Sequence, residues 1–185
     1  MSAQFVVHAL SYCLGKGSIS LRGIRRRPWL EIVRTETESR YLQSQMRHLK
    51  KAHQGKVDIV WDVVETDGFY DKQRLRLQGE GLYRAYELLY PRDRKVISPA
   101  VMDICGLTGM AALWADGGSI YGRKGRIKAG LSKEQCHPIY EWCNDHGFPC
   151  SPTLIFTPES TKELFKAIRP QTHLTMRHKL VKKPR

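Results

Sequence analysis

The sequence lacks any long apolar stretch. None of its runs approaches the ~20 apolar residues that a membrane-spanning helix needs. The first residues, Met1-Ser-Ala-Gln-Phe-Val-Val-His, also lack the basic segment and the cleavage site of a secretory signal. We therefore expect an intracellular protein that has no membrane partner.

Cysteines are few, and their spacing lacks the paired Cys-x-x-Cys pattern of a zinc site. Their number, five, is odd, which argues against a disulfide framework. Cys136, Ile139, Tyr140 and Cys143 recur at i, i+3, i+4 and i+7, a pattern typical of the buried stripe of a helix. We therefore predict reduced core cysteines and no zinc.

Acidic residues are scarce relative to basic ones. The 185 residues include 31 Lys and Arg against 18 Asp and Glu, a formal net charge of +13. This excess predicts a polyanionic partner, most often a nucleic acid, whose phosphates release counterions on binding. The alternatives are a merely soluble basic protein and a surface that binds an acidic protein. The basic residues cluster in the segments 22–27, 74–76, 92–95, 123–128 and 179–185.

Helix and strand patterns occur in two successive series. The second series repeats the order of the first, with a shortened second strand pair. An internal repeat of this length indicates two related halves, 1–91 and 107–185, joined by a basic connector over 92–106. The first series predicts a helix over 3–14, strands over 18–21 and 29–34, a helix over 37–52, a hairpin turning at Asp67-Gly68, and a helix over 81–89.

Each half begins with an apolar helix that ends at glycines. Residues 13–19 read Cys-Leu-Gly-Lys-Gly-Ser-Ile, and residues 113–120 read Leu-Trp-Ala-Asp-Gly-Gly-Ser-Ile. We expect the two helices to pack together at a pseudo-twofold axis, because small residues such as Gly109 permit close approach. This packing brings Lys16 near Asp116.

Basic residues alternate with apolar ones at a period of two in two predicted strands. The pattern occurs at Arg74, Arg76 and Gln78, and again at Arg126 and Lys128. Because successive side chains of a strand point to opposite faces, the pattern predicts sheets with one buried face and one basic face.

Three motifs follow one another in the second half. They are Leu107-Thr-Gly-Met-Ala-Ala-Leu-Trp-Ala-Asp-Gly-Gly-Ser, Arg126-Ile-Lys-Ala-Gly-Leu-Ser-Lys-Glu-Gln and Ile168-Arg-Pro-Gln-Thr-His-Leu-Thr-Met-Arg-His-Lys-Leu. In this order they resemble the signature helix, the following strand and helix start, and the closing segment of the single-chain, two-repeat LAGLIDADG homing endonucleases. The first half matches this family in the order of its helices and strands more than in the identity of its residues. The resemblance implies an α+β fold of two pseudo-symmetric αββαββα units, the second shortened, whose sheets form a basic saddle over DNA.

The resemblance also implies a catalytic site. In this family each signature helix ends in an acid that binds a divalent metal ion beside the scissile phosphates. Asp116 matches that acid in the second repeat, and Lys95 and Lys179 match lysines that line the active site. A bound Mg²⁺ or Mn²⁺ would suit the carboxylate, polarise the phosphoryl oxygen and activate water. For the two lysines, plain phosphate anchoring is the alternative to a catalytic role.

The first repeat departs from the family pattern at the metal-binding position. Lys16 aligns with the acid, or, because the second repeat has one extra glycine, Gly15 pairs with Asp116 instead. Neither residue can ligate a metal as an acid does. Asp103 and Glu31 are acids elsewhere in the chain, but nothing in the sequence places them at the site.

The resemblance therefore implies a Mg²⁺-dependent, site-specific DNA endonuclease whose activity is reduced to nicking one strand or is lost. The alternative is a non-catalytic nucleic-acid binder, such as an intron RNA maturase or a component of an RNA–protein assembly. We expect a monomer that binds double-stranded DNA, with structured RNA as the alternative, in a bacterial or phage-infected cytoplasm or an organelle matrix. The side chains expected to contact bases in the major groove are Arg22, Arg25, Arg34, Arg74, Arg76, Gln78, Arg126 and Lys128.

Overall fold

The computed structural model describes residues 2–53, 57–65, 71–128 and 130–181, and within them the two predicted series of helices and strands are present. The predicted turn at Asp67-Gly68 and the basic residues 182–185 lie outside the described residues. The first series consists of α1 (Ala3–Leu14), β1 (Gly17–Arg22), β2 (Arg27–Thr35), α2 (Ser39–Ala52), β3 (Asp58–Val64), β4 (Lys72–Gln78) and α3 (Gly81–Leu89). The second consists of α4 (Pro99–Gly117), β5 (Gly118–Tyr121), β6 (Lys124–Ile127), α5 (Lys133–Asp145), β7 (Ile155–Phe156), α6 (Pro158–Ile168) and a closing 3₁₀ segment, Leu174–Leu180.

The predicted connector is partly helical, because α4 begins before the signature motif. Ser98 caps its first turn, where the Ser98 hydroxyl accepts a hydrogen bond from the backbone N–H of Val101 (3.3 Å), and Pro99 occupies the first helical position. Gly106 then interrupts the helix with φ of 49°, a left-handed conformation that glycine adopts without strain. The signature helix proper therefore starts at Leu107, as predicted, after a short helical segment that the sequence did not reveal.

Two antiparallel sheets carry the alternating pattern. The first has the strand order β1-β2-β4-β3 and the second the order β5-β6-β7. In the first sheet Ile32 lies between Gly17 and Leu75, whereas Glu31 lies beside Arg76. Leucine and isoleucine side chains thus face the core, and the intervening charged residues lie on the outer face. This arrangement confirms the predicted α+β fold with one buried face for each sheet.

The helices α1 and α4 pack together at the centre of the molecule, as the paired glycine-ended motifs predicted. Leu10, Leu14, Leu113 and Trp114 are completely buried in one core to which both halves contribute. An added Cβ at Gly109 would lie 2.8 Å from Cδ1 of Leu14, so a larger residue there would have to displace the buried Leu14 side chain.

The predicted cysteine stripe lies on α5. Ser132 and Gln135 form a capping box at its N-terminus, and Ile139 and Cys143 are completely buried against the core. The described cysteines are free thiols. None of the helices in the described part of the chain is both long enough and apolar enough to cross a bilayer.

Candidate nucleic-acid interface

The outer face of the first sheet carries a cluster of basic side chains that are already paired with acids. Asp62 on β3 accepts two hydrogen bonds from Arg74, at Nε (2.9 Å) and Nη2 (2.6 Å), and one from Nη2 of Arg76 (2.9 Å). The Arg74 hydrogen bonds are the main reason that the pKa of Asp62 lies below its ordinary value. Nη2 of Arg22 pairs with Glu31 in the same way (2.9 Å). The arginines at the centre of the first sheet are therefore held by carboxylates, whereas the exposed Lys72 in the same row of β4 forms no ion pair within the described residues.

The second sheet presents basic side chains without such partners. Arg126 and Lys128 are exposed, and between them Ile127 is buried, so the alternation predicted from the sequence is present. Within the described residues neither side chain forms an ion pair, and the same holds for Arg25 in the exposed turn between β1 and β2. Gln78 closes the outer row of β4, opposite Trp29. The two sheets thus differ in how freely their cations can meet a phosphate.

Arg34 does not belong to this outer surface, which corrects the prediction that it contacts bases. Its residue is only 1% exposed. Arg34 has the same strand parity as Leu30 and Ile32, both completely buried, so the pleat of β2 directs its side chain inward. The alternation along β2 was the available signal for this placement.

The inward side chain of Arg34 meets Asp116 at the end of α4. Nη1 of Arg34 donates to Oδ1 of Asp116, and the backbone N–H of Lys16 donates to Oδ2 (2.7 Å). The side chains of Arg34 and Asp116 are 0% and 2% exposed. Burial opposes the charged form of Arg34, but the Asp116 carboxylate outweighs burial and raises the pKa of the guanidinium.

Three further residues of the first half surround the guanidinium. Nε of Arg34 donates to Oε1 of Gln45 (3.3 Å), and Nη1 lies 3.8 Å from Oε2 of Glu38. The guanidinium carbon stands 4.8 Å from the ring centre of Tyr41, which is a cation–π distance. Glu38, Tyr41 and Gln45 were not among the predicted site residues, because their helical spacing is equally typical of an ordinary amphipathic helix.

Both lysines matched by the family motifs lie around Asp116. Nζ of Lys179 donates to the carbonyl of Ala115 (2.6 Å), and the Lys179 carbonyl accepts a hydrogen bond from Nε1 of Trp114 (3.0 Å). Burial lowers the pKa of Lys95 and of Lys179, and the negative charge of Asp116 opposes that shift in each case. The closing segment therefore contacts the end of the signature helix next to Asp116, through Lys179.

The first repeat contributes backbone instead of an acid to this centre. A Cβ added to Gly15 would lie 1.9 Å from Oδ2 of Asp116, so the glycine packs directly against the carboxylate. The side chain of Lys16 does not bond to Asp116; its Nζ donates to Oε2 of Glu38 (3.1 Å). The predicted approach of Lys16 to Asp116 is confirmed, and it is made by the Lys16 backbone.

The other acids considered from the sequence lie elsewhere. Glu31 pairs with Arg22 on the outer face of the first sheet, and Asp103 is exposed on the first turns of α4. In the described ranges no three or more His, Cys, Asp or Glu side chains are grouped so that they could hold a metal ion.

Known structures share this architecture, although no family model and no curated protein matches the sequence. The homing endonuclease I-WcaI bound to its DNA recognition sequence superimposes with a TM-score of 0.76 at 12% identity, over 100% of this chain and 89% of that one. A mesophilic variant of the homing endonuclease I-DmoI gives a TM-score of 0.57 at 16% identity, over 93% of this chain and 98% of that one. The chain therefore has the LAGLIDADG homing-endonuclease fold that its sequence motifs predicted.

Proposed function

We propose that this protein binds double-stranded DNA with the outer faces of its two sheets. The observation that carries the proposal is the row of exposed, unpaired cations on the second sheet, Arg126 and Lys128. A phosphate backbone would neutralise these charges and release counterions, which is the main source of non-specific affinity for DNA. The net charge of +13 provides the long-range attraction.

The similarity to I-WcaI supports DNA as the ligand. That protein was determined bound to its DNA recognition sequence, and its fold matches this chain over 100% of its length. A twisted antiparallel ribbon fits the major groove, where arginine reads guanine through two hydrogen bonds and glutamine reads adenine. Arg74, Arg76 and Gln78 on β4 are therefore the side chains assigned to base contacts on the first sheet.

Asp62 gives the first sheet a role different from that of the second. It fixes the forks of Arg74 and Arg76, and its negative charge disfavours a phosphate at this place. A carboxylate beside arginines suits a G·C pair, because it accepts from the cytosine amino group while arginine donates to guanine. The first sheet would thus select sequence, and Arg126 and Lys128 would anchor the backbone.

The fold implies a divalent metal ion at Asp116, but the residues around it do not fit one. Mg²⁺ and Mn²⁺ need open oxygen ligands and room for several waters. Both oxygens of Asp116 already accept hydrogen bonds, and the side chain is 2% exposed. The matching position of the first repeat supplies Gly15 and the Lys16 backbone, which bring no second carboxylate. The function proposed is therefore DNA binding without strand cleavage.

A binding titration tests this proposal. Duplexes enriched from a random library are titrated with the full chain by fluorescence anisotropy in EDTA, beside double-stranded and hairpin RNA of the same sequence. The expected result is tighter binding to DNA than to RNA. The Asp62→Asn variant is expected to show a smaller difference in affinity between mismatched duplexes and the selected duplex than the wild type shows. Tighter binding to RNA would contradict the proposal and favour a maturase-like role.

A further inference from the structure

We propose that Arg34 is the built-in counter-ion of Asp116 and occupies, with its guanidinium, the place of the divalent metal ion that this fold otherwise holds. The inference concerns the DNA-free protein, so it does not depend on which nucleic acid binds the sheets. It explains why one acid of a metal pair persists in a chain that lacks the other.

Both carboxylate oxygens of Asp116 already accept hydrogen bonds. Oδ1 of Asp116 accepts from Nη1 of Arg34, and Oδ2 accepts from the N–H of Lys16 at 2.7 Å. A hydrated cation would compete with both donors for these oxygens, and with 2% of the side chain exposed little solvent reaches the carboxylate. Hard cations release their waters reluctantly, which makes this displacement unfavourable.

The surroundings of Asp116 already carry an excess of positive charge. Lys95 and Lys179 both interact electrostatically with Asp116, and Glu38 is already held by the Nζ of Lys16. Together with Arg34, four basic side chains surround two carboxylates. Coulomb repulsion from this excess of positive charge would oppose the entry of a divalent metal ion.

The position of Arg34 on β2 holds its guanidinium next to Asp116. Its side chain is 0% exposed, and the pleat of β2 fixes it on the core side of the sheet beside Ile32. Its Nη2 has no hydrogen-bond partner among the described residues, so the contact with Asp116 is its principal compensation. A buried guanidinium without that carboxylate would be strongly unfavourable, which favours the paired state.

Gly15 makes room for the Asp116–Arg34 pair. Its missing side chain leaves space for the Asp116 carboxylate to lie against the end of α1, where an added Cβ would stand 1.9 Å from Oδ2. A second acid at this position would occupy the space of the carboxylate itself. The first repeat is thus shaped to receive the Asp116–Arg34 pair.

Manganese uptake by the DNA-free full chain tests the inference. Electron paramagnetic resonance measures free Mn²⁺ in the presence of the wild type, Asp116→Asn, Arg34→Gln, and Arg34→Gln combined with Asp116→Asn. The wild type and Asp116→Asn are expected to take up equal amounts of Mn²⁺. Arg34→Gln is expected to take up one more ion per chain, and the double variant is expected to lose it.

Two results would overturn the inference. The first is an ion bound by the wild type and lost in Asp116→Asn, and the second is a folded Arg34→Gln that takes up no additional Mn²⁺. If Arg34→Gln does not fold, thermal unfolding provides the test. Mn²⁺ is expected to leave the Tm of the wild type unchanged, and the substitution Asp116→Asn is expected to lower the Tm relative to the wild type. A rise in wild-type Tm with Mn²⁺ that Asp116→Asn abolishes would again overturn the inference.

Discussion

Arg34 on β2 and Asp116 on α4, 82 positions apart in the chain, form an ion pair in which both side chains are almost wholly buried. The pair joins the sheet of the first half to the signature helix of the second. It lies at the position where the resemblance to the LAGLIDADG homing endonucleases implies a metal-binding acid. Its energetics therefore decide both the stability of the centre and its chemistry.

Asp116→Asn is expected to destabilise the protein. Loss of the carboxylate leaves the buried guanidinium of Arg34 uncompensated, a change that typically costs about 3–5 kcal/mol of unfolding free energy. Urea unfolding measures the change, with Asp103→Asn on the exposed start of α4 as the matched control, expected within about 0.5 kcal/mol of the wild type. Equal or greater stability in Asp116→Asn would mean that the ion pair does not hold the centre together.

Adjacent substitutions at the end of α1 are expected to differ sharply. Gly15→Ala places a Cβ 1.9 Å from Oδ2 of Asp116, and the resulting overpacking should cost about 1–3 kcal/mol. Lys16→Ala keeps the backbone hydrogen bond to Asp116 and removes only a partly exposed ion pair with Glu38, worth about 0–1 kcal/mol. Chemical denaturation of the two variants makes the comparison, and similar losses in both would argue against close packing at Gly15.

The phosphate contacts assigned to the second sheet predict a change in salt dependence. Arg126→Ala and Lys128→Ala are each expected to reduce the slope of log K against log salt by about 0.9, because each removes one phosphate contact. Arg84→Ala is the control, since Arg84 pairs with Glu87 on the exposed side of α3, away from both sheets. The account of the second sheet fails if all three variants keep the wild-type slope.

Stability is expected to fall in mild acid because of His8. Burial, together with the neighbouring His48, lowers the pKa of His8 from 6.5 to about 4. The unfolded chain therefore binds a proton between these values that the folded chain does not, so stability present above pH 6.5 is lost as the pH falls toward 4. Denaturation at a series of pH values measures the loss, and His8→Leu should flatten the curve over this range. An equally steep curve in His8→Leu would assign the loss to other groups.

The sequence predicted those features that depend on local pattern. The repeated order of elements follows from the two glycine-ended helices and from alternation in the strands, and both are local signals. The family motifs also singled out Lys179, whose Nζ donates to the carbonyl of Ala115 next to Asp116; its role in a site stays a prediction, as does that of Lys95.

The features that the sequence did not reveal depend on contacts between distant elements. The parity of Leu30 and Ile32 indicates that Arg34 faces inward, but its partner Asp116 lies 82 positions away, at the end of α4 in the other half. Likewise the bond between Asp62 and Arg74 depends on the register of β3 against β4, in which these two residues lie opposite each other. Pairings of this kind are tertiary, and no period in the sequence encodes them.

The central claim, DNA binding without a catalytic metal, is tested most directly by one titration. The selected duplex, carried on a supercoiled plasmid, is bound by the full chain in EDTA and in Mg²⁺ or Mn²⁺ at matched ionic strength, and affinity and plasmid form are measured together. The account predicts that the metal ion does not raise the affinity and that the plasmid stays supercoiled. Nicked or linear product that forms only with the metal and disappears in Asp116→Asn would contradict it.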